Sequence, residues 1–171
     1  NPHYPNYRLN FGKSQKFDNK MIIDVEEIDG YSMIINKNYF DNNIFFDEKF
    51  FMYLENVDLC FRAKKKGGKL FIIHNSRIHH LGAKAVDDKY SEEIELSRNW
   101  HWMWSSFYYI KKYKGFFPSL ILISPKLISS FIKFLIFALL GKKEKKEIYF
   151  HRYSGLINSI FGKTSWYRPK V

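Results

Sequence analysis

The stretch FFDEKFFMYLENVDLCFR, residues 45–62, sets four carboxylates (Asp47, Glu48, Glu55 and Asp58) among phenylalanines and other large apolar side chains. Its second half runs into ENVDLCFRAKKKGG (55–68), which reads as a helix. Glu55 and Asp58 lie in its first turn, lysines in its last, and Gly67–Gly68 form the stop. On a helix Glu55 and Asp58 share a face, and Arg62, four residues beyond Asp58, makes a natural intrahelical partner for it. Glu55 is left without an evident partner, beside Phe50, Phe51, Tyr53 and Leu54. A carboxylate so walled is suited to take a proton from a hydroxyl. The same spacing has a purely structural reading, in which Glu55 caps the helix and Asp58 only pairs with Arg62.

Upstream, MIIDVE (21–26) and YSMIIN (31–36), on either side of Gly30, read as short strands, and residues 1–19 as loop. NKNYFDNN (36–43) reads as a turn or short helix. Downstream, KLFII (69–73) reads as a strand and SRIHHLGAKA (76–85) as a strand end entering a loop. His79 and His80 are adjacent, so in a strand at most one of them serves a given site. A histidine beside carboxylates can ligate a divalent metal, and it can equally be a surface or core imidazole. From about Ser91 to Tyr113 the pattern is helical and aromatic-rich, with Trp100, Trp104 and Phe107 on one face. Packing explains most of that stripe, and stacking on sugars or seating at a membrane interface are the other uses of Trp and Tyr.

The 171 residues are 46% hydrophobic and 19% aromatic, which suits one domain with a real core and excludes a disordered chain. A single cysteine, Cys60, allows no internal disulfide framework and fits a reducing, cytosolic setting. The chain starts at Asn1 without a leader pattern, so it is expected to be cut at its start. Charge divides sharply. Residues 1–98 hold 15 Lys+Arg and 15 Asp+Glu, whereas residues 99–171 hold 13 and 2 and so carry the whole net charge of +11. A basic tail meets anionic lipid or nucleic acid.

Between those charges lies FFPSLILISPKLISSFIKFLIFALLG (116–141), divided by Pro118 and Pro125. Roughly 15 residues follow Pro125, about 22 Å of helix. That falls short of a bilayer core of about 30 Å. Lys126, Ser129, Ser130 and Lys133 cluster on one narrow face, and KKEKK (142–146) follows. The expectation is a helix lying in the membrane interface with its lysines at anionic headgroups. The alternative is a buried core helix followed by a solvated charge run. No nucleic-acid partner is expected, because this apolar stretch offers no groove-reading polar face.

Taken as one ordered set, the Gly30 strand YSMIIN, then FFDEKFFMYLENVDLCFR, then Gly67–Gly68, then RIHHLG resemble a known family. The resemblance is to the C-terminal half of family 2 glycosyltransferases of the GT-A fold, in the bacterial rhamnosyltransferase-like branch. It covers residues 20–85 and, more loosely, the helices to GKTSWYRP (162–169). It implies an α/β, Rossmann-like domain followed by C-terminal amphipathic helices. Residues 1–115 would be the acceptor-side half and residues 116–171 a membrane-associating tail. It implies Glu55 as the base that deprotonates the acceptor hydroxyl, with Asp58 supporting it. Gly30 would lie under the donor, Phe51, Tyr53 and Arg62 would line the sugar site, and His80 would hold a divalent Mg or Mn ion, with His79 out of register. The reaction implied is inverting transfer from a nucleotide-sugar donor to a lipid-linked glycan acceptor, at the cytoplasmic face of the inner membrane. Two departures stand out: Asn56 replaces an Asp common in the family, and no Asp-x-Asp occurs in the chain. The rival expectation is a non-catalytic membrane-surface module whose tail does the binding.

Overall fold

The computed structural model describes residues 22–40, 45–73, 75–79 and 87–169. Strand β1 (Ile22–Asp24) pairs antiparallel with β2 (Phe71–Ile73), in the register Ile22 to Ile73 and Asp24 to Phe71. Helix α1 (Glu55–Lys65) lies between them in sequence. It stops where expected: Gly67 takes φ +83°, and the Gly68 amide donates to the Ala63 carbonyl at 2.9 Å. Leu59 and Ala63 of α1 bury against Phe40, with Met33, Ile35, Phe45 and Leu70 around them.

The remainder is helical: α2 (Ser91–Lys114), α3 (Phe116–Leu139) and α4 (Lys143–Ile160). The expectation of an α/β, Rossmann-like GT-A domain is therefore overturned. The molecule is mostly helical, and its only sheet among the described residues has two strands. A doubly wound sheet needs parallel strands joined by crossovers and covered on both faces. Here two three-residue strands pair antiparallel, with Ile22, Phe71 and Ile73 exposed. The apolar run 31–36 keeps the in-and-out alternation of a strand, with Ile34 fully exposed, but takes no place in the ladder. Its Met33 and Ile35 pack on the α1 core instead.

Helix α3 also corrects the expectation of a break at Pro125, since it is continuous through both prolines. Pro118 sits in the first turn, where its missing N–H has no intrahelical partner. Pro125 orphans the Ile121 carbonyl, and the Ser124 hydroxyl donates to that carbonyl at 2.9 Å. The helix is thus 24 residues long, or about 36 Å. It runs antiparallel to α4, as the ring pairs Phe131–Tyr153, Phe134–Phe150 and Phe137–Tyr149 show. Helix α4 packs against both α2 and α3. Met103 and Phe107 of α2, Ile123 of α3 and Leu156 of α4 close the helical core. The approach of α4 to α2 is so close that a Cβ on Gly155 would lie 2.3 Å from the Trp100 carbonyl oxygen.

Candidate functional site

Just before α1 the chain makes an unusual turn. Tyr53 and Leu54 have φ of +68° and +67°, a left-handed conformation that costs a side-chain-bearing residue about 1–2 kcal/mol. Packing holds them there. Leu54 is buried with Phe50 and Tyr109, while the Tyr53 ring meets Trp102 edge-on at 5.3 Å and its hydroxyl accepts from Arg98 Nε at 3.0 Å. The Ser105 hydroxyl adds a bond to the Met52 carbonyl at 2.8 Å. The turn delivers Glu55 as the first residue of α1.

Glu55 Oε2 is shut off from solvent and receives no hydrogen bond. A half-buried carboxylate with an unsatisfied oxygen is uncommon. On its other side lies Gly30, where a Cβ would sit 3.8 Å from Glu55 Oε1 and 3.3 Å from Asn56 Cβ. Asn56 donates from Nδ2 to the Ile28 carbonyl at 2.8 Å. That explains the departure at this position, because an ionised aspartate could not donate this bond. It also ties the Gly30 segment to the start of α1.

Asp58, one turn on, is in the opposite condition. It is fully buried and accepts from Arg62 Nε at 2.8 Å, from the Tyr113 hydroxyl at 2.5 Å and from Lys112 Nζ at 2.6 Å. Lys112 also bridges to Asp47 at 2.7 Å, and Asp47 accepts the Tyr108 hydroxyl at 2.8 Å. Burial pulls the Asp47 carboxyl up, but the hydrogen bonds from Lys112 and Tyr108 outweigh it and hold the group below its ordinary value. Burial and the neighbouring carboxylates push both tyrosines well above theirs, so they remain donors. The Arg62 guanidinium additionally donates from Nη2 to the Phe45 carbonyl.

A cleft of about 1260 Å³ opens beside this network. Glu55, Phe51 and Arg62 line it, together with Trp104, Tyr108 and the segment that follows α4. Six cationic side chains in its lining (Lys49, Arg62, Lys111, Lys112, Lys163 and Arg168) face three carboxylates (Asp47, Glu48 and Glu55). The Arg168 guanidinium lies 3.5 Å from the Phe51 ring centroid. Buried His101 fixes this wall: its Nε2 meets the Tyr167 carbonyl at 2.8 Å and its Nδ1 the Ser165 hydroxyl at 2.9 Å. A carbonyl only accepts, so Nε2 carries the proton and Nδ1 accepts from Ser165. Desolvation, aided by nearby Arg168, pushes His101 down to about 4.

Of the residues singled out from sequence, the structure brings Glu55, Phe51 and Arg62 to one cleft and places Gly30 against Glu55. Tyr53 turns toward Arg98 and Trp102, and Asp58 lies behind the cleft wall. His80 lies outside the described residues, and His79 is exposed. Among the described residues no three His, Cys, Asp or Glu side chains converge as a metal site. The sequence reading missed Lys112 and Tyr108, whose spacing of four on a helix places both on one face. It also missed Lys163 and Arg168, because nothing local says that the chain end returns to the start of α1. Comparison of the chain with protein-family models, with curated proteins and with solved structures gives no significant match.

Proposed function

We propose that this chain forms the acceptor-side part of a sugar-transfer enzyme working at the cytoplasmic face of a membrane, with Glu55 as the base that takes the proton from an acceptor hydroxyl. The observation that carries the reading is the Glu55 carboxylate at the cleft wall, with one oxygen buried and unpaired while Asp47 and Asp58 are held by cations and tyrosine hydroxyls. Glu55 as a residue is only partly buried and lines the cleft, so its carboxylate can accept the hydrogen bond of an incoming hydroxyl there, the first requirement of a general base. Phe51, half exposed in the cleft lining, offers apolar surface to a sugar ring beside the Arg168 guanidinium that covers one of its faces. The cationic lining suits the phosphates of a nucleotide-sugar donor or of a lipid-linked acceptor. A divalent ion would accompany the donor diphosphate and offset its charge, with His80 as one of its ligands.

In this reading the base holds and orients the acceptor hydroxyl. The new glycosidic bond forms at the anomeric carbon as the nucleotide diphosphate leaves on the opposite face, and the acceptor proton passes to Glu55. Asp58 does not touch substrate. It positions α1 by anchoring Arg62, Lys112 and Tyr113.

The test is sugar transfer by membranes carrying this chain together with the donor-binding part that the reading requires, from a panel of nucleotide sugars to lipid-linked acceptors, with Glu55→Gln and Asp58→Asn alongside. Glu55→Gln is expected to lower transfer about 10²–10⁴-fold with an unchanged melting temperature. Asp58→Asn is expected to lower the melting temperature. Transfer by Glu55→Gln at near the parent rate would remove Glu55 as the base. Absence of transfer by the parent chain with every donor would favour the non-catalytic membrane-surface module.

A further inference from the structure

The geometry of α3 and α4 points to a surface built to lie flat on an anionic membrane leaflet, and we infer that α3 does not cross the bilayer. By length and composition α3 is sufficient to span, and in its most apolar window only 11% of residues are buried. Ser119, Ile123 and Ser130 face the protein. On the opposite side Ile121, Ile128, Ile132, Leu135 and Leu139 share one arc by helical spacing, and all are exposed. No polar side chain interrupts that arc, and Lys126 and Lys133 lie away from it, on the side of α3 toward Arg152 and Tyr149 of α4.

Helix α4 decides between spanning and lying flat. It runs antiparallel along α3, from Phe137–Tyr149 at one end to the Ile123–Leu156 contact at the other. A spanning α3 would carry this partner into the hydrocarbon, with Lys145, Lys146, Glu147, His151 and Arg152 on it. Charges in that position are costly and are not tolerated in such number without a buried partner. Lying flat removes the conflict: the apolar arc enters the acyl boundary and α4 stays on the protein side. The α3–α4 turn then brings Lys142, Lys143, Lys145 and Lys146 to the headgroup level. Charge complementarity selects the occupant, since residues 99–171 hold 13 cations against 2 acids. The cleft lies at the same surface, because Lys111 on its rim sits 5.6 Å from the ring of Phe116, where α3 begins.

The experiment uses the full chain with single cysteines at positions 121, 128, 135 and 139, each carrying an environment-sensitive fluorophore. Native Cys60 is buried, and the parent chain serves as the labelling control. Quenching by lipids spin-labelled at graded depths is measured on phosphatidylcholine vesicles with and without phosphatidylglycerol. The expected result is one shallow depth for all four positions, with binding that requires phosphatidylglycerol and weakens with salt. Ile128→Lys with Ile132→Lys, both exposed, should reduce binding at least about tenfold with the helical circular dichroism retained. Neutralising the four turn lysines should reduce it on anionic vesicles by a similar factor. A depth profile that passes through the bilayer centre overturns the inference. So does equal binding to neutral vesicles, or a concentration-dependent dimer that buries position 128 and ignores vesicles. The inference stands apart from catalysis: a Glu55→Gln chain should bind as the parent does.

Discussion

At the residue scale, Glu55 and Asp58 are the same chemistry three positions apart, and their surroundings give them opposite parts. Asp58 receives two cations and a hydroxyl, so it is a structural anion. Glu55 has an oxygen with no partner. His101 is the third titratable group whose surroundings set its role. Unfolded, its imidazole titrates near 6.5, and folded at about 4. Between those values the unfolded chain binds a proton that the fold refuses. Stability should therefore fall as pH drops from about 6.5 to about 4, by on the order of 3 kcal/mol, and this contribution should level off below. Asp47, held low, contributes stability that is lost only as pH falls through and below the ordinary carboxylate range, so the two losses separate. Urea midpoints across this range should show the first loss in the parent chain and a flatter profile in His101→Gln. An unchanged profile in that variant would show that another group carries the acid sensitivity.

At the element scale, the helices were legible where their signals are local. Acids at the start of α1 and Gly67–Gly68 at its end gave its limits to within three residues. The strand readings failed at 31–36 because alternation reports which side chains face inward, not whether a neighbouring strand exists. The break read at Pro125 failed because the sequence rule counts a lost N–H and does not see Ser124 supplying a donor to the same carbonyl. Helix packing is also invisible locally, and Gly155 is the plain case. It looks like a weak point in a helix, yet it is where α4 meets the Trp100 backbone. Gly155→Ala should raise helix propensity and still destabilise the protein, by about 1–3 kcal/mol, because a Cβ there must move backbone. Thermal unfolding distinguishes the two effects by sign, and a higher melting temperature would mean that α4 shifts freely away from α2.

At the scale of the whole molecule, three residues that the resemblance over 20–85 singles out, Glu55, Phe51 and Arg62, line one cleft, while the fold it implied is not the one observed. The rest of the site was hidden because it is assembled across distance: residues 45–62 meet the end of α2 and the segment after α4. One side chain concentrates that assembly. Lys112 of α2 bridges Asp47 in the loop and Asp58 in α1, and it is the only cation between those two acids among the described residues. Replacing it with methionine keeps the stem and leaves two acids with Arg62 as their sole cation. The cost should be about 2–4 kcal/mol, since a buried carboxylate loses compensation. Its location is more informative than its size. The α1 core and the α2–α4 core are separate apolar clusters, joined by Phe50, Leu54, Tyr109 and this charge bridge. Hydrogen exchange in Lys112→Met should therefore accelerate at the amides of α1 and leave those of α3 and α4 near their parent rates. Equal acceleration throughout would mean that the two cores open as one unit, and that the bridge stabilises the whole molecule rather than holding α1, and Glu55 with it, against the helical layer.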